Sequence, residues 1–291
     1  MINVLENDVL RIEIDSVGAE LSSIKTKKDG LEFLWQGDPS VWARKSPILF
    51  PIVGKLKDNE YFVENEKYEL DQHGFARDME FQVEPHDKEI LEYKLKYNEE
   101  SLKKYPYKFL LTITYELKGN SLRIGYKVKN IDSIDVYFSI GAHPGFNMPI
   151  MKEEKLEDYY LEFDKLETVD KYQLNTENNV SLESIPFLNN EKVIPMTKDI
   201  FNNGAIILLD VVSTSLALKS KNNSREVCVE YDGFPYLGIW GHSDNSPFVC
   251  IEPWYGVTDF EDTDKQYKTK TGIQKLEVSK EFIANYYINI K

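Results

Sequence analysis

The chain has 291 residues, enough for one large β-domain or two smaller domains, and length alone does not choose between them. Its 35 basic and 49 acidic residues give a net charge of −14, which repels phosphate backbones and argues against nucleic acid as a partner. The same charge gives an anionic small molecule no general attraction, so such a ligand would need a local cluster of arginine and lysine.

The sequence shows no export signal and no membrane segment. Residues 1–8 (MINVLEND) have neither a basic start nor an apolar core. The longest apolar run, 47–53 (PILFPIV), is far shorter than the roughly 20 residues that a membrane helix requires. Cys228 and Cys250 both lie in strand-like apolar runs. We therefore expect a cytoplasmic protein with two buried free thiols, no membrane association and no metal site built on cysteines.

Strand signals dominate the chain, because apolar and polar residues alternate at period two in many short segments. In chain order, the predicted strands are 10–14, 91–97, 109–117, 122–128, 136–140, 160–163, 205–210, 215–219, 227–231, 237–240, 248–252 and 286–290. The pair 109–117 and 122–128 is joined by a short turn with Gly119 and predicts an antiparallel hairpin with one buried face.

Helical periodicity is scarce, and short helices are expected only near 39–43 and 152–157. The sequence contains no flexible linker, no low-complexity segment and no internal repeat. Many short strands without intervening helices predict an all-β fold, a large antiparallel β-sandwich. We expect a single domain over residues 1–291.

Three short stretches are the best candidates for a functional site: 72–77 (QHGFAR), 141–147 (GAHPGFN) and 251–256 (IEPWYG). Two of the four histidines, His73 and His143, lie in these Gly- and Pro-rich surroundings. The other two are weaker candidates, since His86 lies in a polar turn and His242 in a segment that is typical of a surface loop. Imidazoles and a carboxylate exchange protons near neutral pH, and an aromatic ring can bind the face of a sugar.

One carboxylate and one or two imidazoles are sufficient to interconvert sugar anomers without a metal or cofactor. Glu252 is the candidate base, because burial at the end of an apolar strand would raise its pKa towards neutrality. His143 is the candidate acid, and His73 could donate a second hydrogen bond or orient His143. Trp254 offers a stacking face for a sugar ring. The simpler alternatives are a surface carboxylate for Glu252 and hydrogen-bonded structural roles for the histidines.

The cationic candidates are Arg44, Lys45 and Arg77, which could bind hydroxyl groups or a phosphate. The alternative for each is a surface ion pair. Asp232 is a further candidate for substrate binding, although its position in the stretch 231–235 (YDGFP) is more typical of a turn.

Taken together, these stretches resemble the galactose mutarotase (aldose 1-epimerase) family. The resemblance is closest to its LacX-type branch, which is related to the hexose-6-phosphate mutarotases. It runs over essentially the whole chain and rests on the order of five blocks, 17–21, 47–54, 73–77, 142–146 and 251–256. It implies a large antiparallel β-sandwich that acts on a sugar.

The resemblance also implies roles for individual residues. Glu252 matches the family's catalytic base, His143 its acid and His73 its second substrate-binding histidine. Arg44 matches its substrate-contacting arginine, and Arg77 matches the arginine associated with phosphate in the hexose-6-phosphate branch.

One departure from the family pattern is Gly204, which stands where many relatives carry an acid. A contact to a sugar hydroxyl is therefore expected to be missing, which bears on substrate identity more than on the reaction. The stretch that begins at Ser46 also lacks the glycine pair typical of the phosphate-handling branch, so a free aldohexose is the favoured substrate.

A hexose-6-phosphate mutarotase stays open as an alternative. Two functions of other classes also remain open: a non-catalytic carbohydrate-binding protein, and a glycoside hydrolase or lyase that uses Asp232 as a second carboxylate. For the mutarotase, we expect His73, His143 and Glu252 to converge on one open cleft. The Glu252 carboxylate and the His143 ring are expected to face each other across the width of a pyranose ring.

Overall fold

A computed structural model describes residues 1–85 and 88–291, with the side chain of Pro85 excluded. It contains one short α-helix, α1 (Glu99–Lys104), and four 3-10 helices, at Lys57–Asn59, Ala76–Asp78, Leu156–Asp158 and Tyr267–Thr269. The strands are β1 (Ile2–Glu6), β2 (Leu10–Asp15), β3 (Glu20–Thr26), β4 (Ile48–Leu49), β5 (Glu60–Val63), β6 (Glu66–Glu69), β7 (Gln82–Pro85), β8 (Ile90–Lys96), β9 (Phe109–Lys118), β10 (Ser121–Asn130), β11 (Val136–Phe138), β12 (Ile140–Ala142), β13 (Gly145–Asn147), β14 (Tyr159–Leu174), β15 (Val180–Pro195), β16 (Ile206–Leu208), β17 (Ser215–Ser220), β18 (Glu226–Glu230), β19 (Tyr236–Trp240), β20 (Phe248–Tyr255), β21 (Gln274–Leu276) and β22 (Glu281–Ile290).

Most of these strands join one large sheet of 15 strands. Its main path runs β4-β12-β20-β19-β16-β14-β17-β18-β22-β10-β9-β8-β7, with β13 paired to β20 and β15 paired to β14. The strands β1, β2 and β3 form a separate three-stranded sheet, and the pairs β5–β6 and β11–β21 form two small ones. Neighbouring strands run antiparallel, for example β10 with β22 and β19 with β20. The predicted antiparallel all-β class is confirmed.

The predicted hairpin is confirmed in detail. Strands β9 and β10 pair antiparallel with Lys118 opposite Ser121, so Gly119 and Asn120 form a two-residue turn. Gly119 has a φ of +56°, in the left-handed region that such turns require. Every second side chain of both strands is buried, as the period-two pattern predicts. This hairpin lies between β22 and β8, towards one end of the large sheet.

Three local expectations differ from the structure. The only described α-helix is α1, which was not predicted; its Asn98 and Ser101 form a reciprocal capping box. Residues 39–43 form turns instead of a helix, whereas the second expected helix corresponds to the 3-10 turn at Leu156–Asp158. Cys228 is only partly buried, because it lies on the opposite face of β18 from the core.

The most extended element, the β14–β15 hairpin, was only partly predicted. The expected strand covered 160–163, but each strand of this hairpin has 16 residues. Most side chains of β15 are exposed, so the sequence of β15 lacks an alternating apolar face. Backbone pairing with β14 defines this strand. No helix in the described part of the chain has the length and apolarity needed to cross a membrane.

One hydrophobic core connects the three-stranded sheet to the large sheet. The cluster contains Ile12 and Leu21 from the small sheet and Ile113 and Ile124 from the large one. The hydroxyl of Tyr115 on β9 donates a 2.7 Å hydrogen bond to the carbonyl of Ala19. This shared core supports the prediction of one domain over residues 1–291, which stays a prediction.

A buried ion pair holds the segment that follows β20. The Lys270 ammonium lies 2.6 Å from the Asp259 carboxylate, and both side chains are 3% exposed. Lys270 also donates to the carbonyl of Val257 at 2.7 Å, while the second oxygen of Asp259 accepts from the backbone N–H of Lys57 at 3.0 Å. The pair therefore ties residues 257–259 to the segment near residue 57.

Replacement of Lys270 with methionine is expected to lower the free energy of unfolding by about 3–5 kcal/mol, because Asp259 is left as an uncompensated buried charge. The matched control is Lys268→Met, since the Lys268 side chain is 42% exposed and 3.5 Å from an exposed Glu64. That change is expected to cost less than about 1 kcal/mol. Urea denaturation of the three proteins measures both effects, and equal losses in the two variants would contradict the role given to the pair.

Candidate active site

A cleft of about 360 Å³ opens beside β20, a volume within the range of small-molecule sites. The residues that line it come from all three stretches highlighted by the sequence and from segments far from them. They are Trp42, Pro47, Gly54, Gln72, His73, Arg77, His143, Leu174, Asn178, Gly204, Ala205, Ile207, Trp240, Glu252, Trp254 and Thr258. The expected convergence of His73, His143 and Glu252 on one cleft is confirmed.

Strand β20 carries Glu252 into the cleft. Since side chains alternate along a strand, Cys250, Glu252 and Trp254 share one face of β20. The strand is enclosed by β12 and β13 on one side and β19 on the other. Glu252 is therefore only 1% exposed. It is the only carboxylate that lines the cleft within the described residues.

Two glycines allow Trp254 to lie flat beside Glu252. A Cβ atom at Gly238 of β19 would lie 2.3 Å from the indole, and one at Gly141 of β12 would lie 2.6 Å from it. Only residues without a side chain fit in this close approach. Trp254 is consequently fixed and 5% exposed. Its assignment as a sugar-stacking face stays a prediction.

His143 lies in the connection between β12 and β13, directly above β20. Its Nε2 atom is 3.3 Å from Oε2 of Glu252. The expectation that a sugar ring would fit between these two groups is therefore wrong, because the acid and base candidates are in contact. The indole of Trp42 stacks on the imidazole with ring centres 5.0 Å apart, and Trp240 meets it edge-on at 5.6 Å.

The His73 ring is held by the backbone of Gly54. The Gly54 N–H donates to Nδ1 of His73 at 3.1 Å, and the His73 N–H donates to the Gly54 carbonyl at 2.7 Å. In the neutral ring the proton must then be on Nε2. Gly54 itself has a φ of +71°, and a Cβ there would lie 1.8 Å from Oγ1 of Thr258, so this position requires glycine. The Nε2 atom of His73 faces the cleft beside the side-chain amide of Gln72, whose nitrogen lies 3.3 Å away.

Burial shifts the titration of the Glu252–His143 pair. It raises the pKa of Glu252 well above its usual value, and the Trp254 side chain lowers it only in part. Burial lowers the pKa of His143 to about 3; its own backbone opposes this shift, and the charges of Arg77 and Arg44 add to it. Burial thus favours the uncharged form of both groups, a protonated carboxyl on Glu252 and a neutral ring on His143.

The arginines share one carboxylate at the rim. Nη2 of Arg44 lies 2.7 Å from the Asp78 carboxylate, and Nε of Arg77 lies 3.8 Å from it. Arg77 also donates to the carbonyl of Gln72 at 2.7 Å. Lys45 instead directs its ammonium to the Ser22 carbonyl, 3.2 Å away. Within the described residues, Arg77 is the only lysine or arginine that lines the cleft.

Asp232 does not join the other candidates. It is exposed in the turn between β18 and β19 and does not line the cleft. This placement agrees with a turn residue and does not fit the assignment of Asp232 to the substrate site. His242 is likewise exposed, with Nδ1 2.8 Å from the Ser243 carbonyl, and His86 lies outside the described residues.

Sequence reasoning missed Trp42 and Trp240, which form the aromatic wall around His143. Both are partly exposed, so their faces are more accessible than that of Trp254. In the sequence, only their positions indicated them: Trp42 follows a turn, and Trp240 lies at the end of a strand. Gly204 lines the cleft, and no atom lies within 4 Å of the position that its Cβ would take; its equivalence to an acid of the relatives stays a prediction. The cleft is open where a longer side chain would enter.

Comparison with known proteins identifies the family. Residues 1–274 match the family model described as aldose 1-epimerase. The chain belongs to the aldose 1-epimerase family. It is 37% identical over 264 residues to the chromosomal LacX protein of Lactococcus lactis subsp. lactis, a match that covers 87% of each chain.

Solved structures agree with this membership of the aldose 1-epimerase family. A galactose mutarotase related enzyme from Lactobacillus acidophilus is similar with a TM-score of 0.95 and 34% identity, over 100% of this chain and 97% of that one. A galactose mutarotase-like protein from Lactobacillus casei has a TM-score of 0.93 and 29% identity, over 100% of both chains. The resemblance and the sandwich fold expected from the sequence are confirmed.

The fixed tautomer of His73 can be observed directly. Burial lowers the pKa of His73 well below that of a free imidazole, and the charges of His143, Arg77 and Arg44 lower it further. Because the charged form is disfavoured, ¹⁵N NMR should show a neutral ring with the proton on Nε2 from about pH 8 to about pH 5. The His73→Gln variant assigns the signal. Protonation of Nδ1 with a midpoint near that of free histidine would refute this arrangement.

Proposed function

We propose that this protein is an aldose 1-epimerase that interconverts the α and β anomers of an aldohexose. The observation that carries the proposal is the contact of 3.3 Å between Nε2 of His143 and Oε2 of Glu252 in an aromatic-lined cleft. Family membership and the LacX relatives support the same chemistry.

The contact suits this reaction because the two reacting oxygens of the sugar are bonded to the same carbon. Glu252, as carboxylate, takes the proton from the anomeric hydroxyl, while His143, as imidazolium, gives a proton to the ring oxygen. The bond from C1 to the ring oxygen breaks and the carbonyl forms at C1. After rotation about C1–C2, the two groups work in reverse and close the ring on the other face.

The proton of the pair has to move before ring opening. Burial in the free site favours the proton on Glu252, whereas the reaction needs it on His143. A bound sugar favours this transfer, because the anomeric hydroxyl donates to the ionised carboxylate and the ring oxygen accepts from the imidazolium. The proton travels only from Oε2 to Nε2, and one proton is enough for the full cycle.

The other cleft residues bind and orient the sugar in this proposal. His73 donates from Nε2 to a sugar oxygen, and its tautomer is maintained by Gly54. Trp42 and Trp240 provide apolar faces for the ring carbons. The open space beside Gly204 leaves one part of the sugar without a side-chain contact, which favours tolerance of different aldohexoses.

The two rival functions lack support from the site. A typical hydrolase needs two carboxylates at the scissile bond, but within the described residues Glu252 is the only one in the cleft and Asp232 is exposed elsewhere. A protein that only binds sugar has no need for an acid and a base in contact, and burial of an unpaired carboxyl group is costly.

Glu252→Gln tests the base directly. The amide keeps the size of the side chain but cannot accept the anomeric proton, so polarimetry of fresh α-D-glucose and α-D-galactose should show a rate about 10²–10⁴-fold lower. The matched control, Asp232→Asn, removes an exposed carboxylate outside the cleft and should keep the wild-type rate. Near wild-type polarimetric rates in Glu252→Gln would remove Glu252 as the base.

A second experiment concerns phosphate. Arg77 is the only cation among the described residues that line the cleft, and it shares Asp78 with Arg44. We therefore expect a higher kcat/KM for glucose than for glucose 6-phosphate. Arg77→Ala should change that ratio by less than about tenfold, or 1.4 kcal/mol. The control is Arg225→Ala, which removes a surface arginine paired with Asp29. A strong preference for the phosphorylated sugar that is lost only in Arg77→Ala would reverse this assignment.

A further inference from the structure

Three side chains that can ligate metals lie close together: Cys250, His143 and Glu252, of which the last two line the cleft. Their donor atoms all lie within 4.8 Å of one another, and all three residues are buried. Strand β20 supplies Cys250 and Glu252 from the same face. His143 comes from the connection before β13, whose Gly145 pairs with Cys250. The prediction that no metal site is built on cysteines rested only on the spacing between the two cysteines.

Two of these side chains carry polar atoms without a hydrogen-bond partner. Among the described residues, Nδ1 of His143 and Oε2 of Glu252 are buried and make no hydrogen bond, although Oε2 lies 3.3 Å from Nε2 of His143. The Glu252 side chain is 2% exposed and the His143 side chain 10% exposed. Buried polar atoms that make no hydrogen bond are unfavourable, and a bound cation would take up their lone pairs.

We propose that Cys250, His143 and Glu252 form a binding site for Zn²⁺. Zinc bonds to sulfur, nitrogen and oxygen are about 2.0–2.3 Å long, so one ion can reach all three donors after small side-chain rotations. Three protein ligands leave the fourth position open to the cleft. The thiolate favours a borderline-soft ion over Mg²⁺ and Ca²⁺, which prefer oxygen ligands.

Zinc binding and the interconversion of sugar anomers cannot take place at this site at the same time. The ion takes the lone pairs of His143 and Glu252 that the proposed reaction uses, and it displaces the Cys250 proton and the proton of the Glu252–His143 pair into solvent. Zinc is therefore a competitive inhibitor. The inhibition rests on the proposed function, whereas the binding of the metal does not.

Cobalt(II) spectroscopy tests binding independently of activity. Chelator-treated protein titrated with Co²⁺ should give one equivalent of a four-coordinate spectrum with a thiolate-to-cobalt charge-transfer band, and Zn²⁺ should displace it. Cys250→Ser should abolish this band and weaken zinc binding at least about 100-fold, since even groups behind metal ligands contribute about 10–100-fold. Cys228→Ser, the matched control on β18, should retain both.

The wild-type spectrum alone can overturn the proposal, so it does not depend on the folding of a variant. Absence of the thiolate band, or equal zinc affinity in wild type and Cys250→Ser, would show that metal binds only at surface carboxylates or not at all.

Polarimetry then measures whether Zn²⁺ raises the apparent KM for glucose in wild type and in Cys228→Ser. If the protein shows the thiolate band but no anomerisation, the metal site is supported and the proposed function is contradicted. If the protein is active but shows no band, the proposed function is supported and the metal site is contradicted.

Discussion

Burial of the Glu252 carboxyl group between neighbouring strands is the constraint on which the rest of the cleft depends. β20 can hold Glu252 at this depth only because β12 and β19 flank it, and both offer glycines where Trp254 lies. The low-dielectric surroundings then determine the protonation of His143, 3.3 Å away. The burial of Glu252 therefore determines the position of its carboxyl group, the rigidity of the surrounding residues and the protonation of the Glu252–His143 pair.

Charge near the cleft is balanced locally, although the whole chain carries −14. Asp78 neutralises part of the field of Arg44 and Arg77, and both arginines still lower the pKa of His143. The remaining positive charge at the rim can orient a hydroxyl-rich neutral molecule without a strong attraction for anions. The net charge of the chain alone would predict a negative potential at the site. Pairing between neighbouring charged side chains therefore determines the local potential more than the net charge does.

Those parts of the fold that bury one face of a strand could be predicted from the sequence, as for β9 and β10. The β15 strand could not, because its side chains are mostly exposed and its structure comes from pairing with β14. In the site, His73 and His143 were found because turn residues surround them, and Glu252 because it follows an apolar run directly before Pro253 and Trp254. Trp42, Trp240 and the shared Asp78 were not, since their roles arise from contacts between distant segments. Cys250 was also missed as a possible ligand, because His143 comes from a distant segment and lies beside it only in the folded chain.

Strand β22 has a further consequence for how the molecule assembles. It lies between β10 and β18 and is the link on the main path between the β7–β10 part of the sheet and the part that contains β20. Its partners are about 60 to 160 residues away along the chain, so these contacts close very long loops. Until β22 inserts, β10 and β18 each present an unpaired edge. Completion of the sheet is therefore expected to be a late and slow event, during which an intermediate with two open edges is prone to associate with other copies.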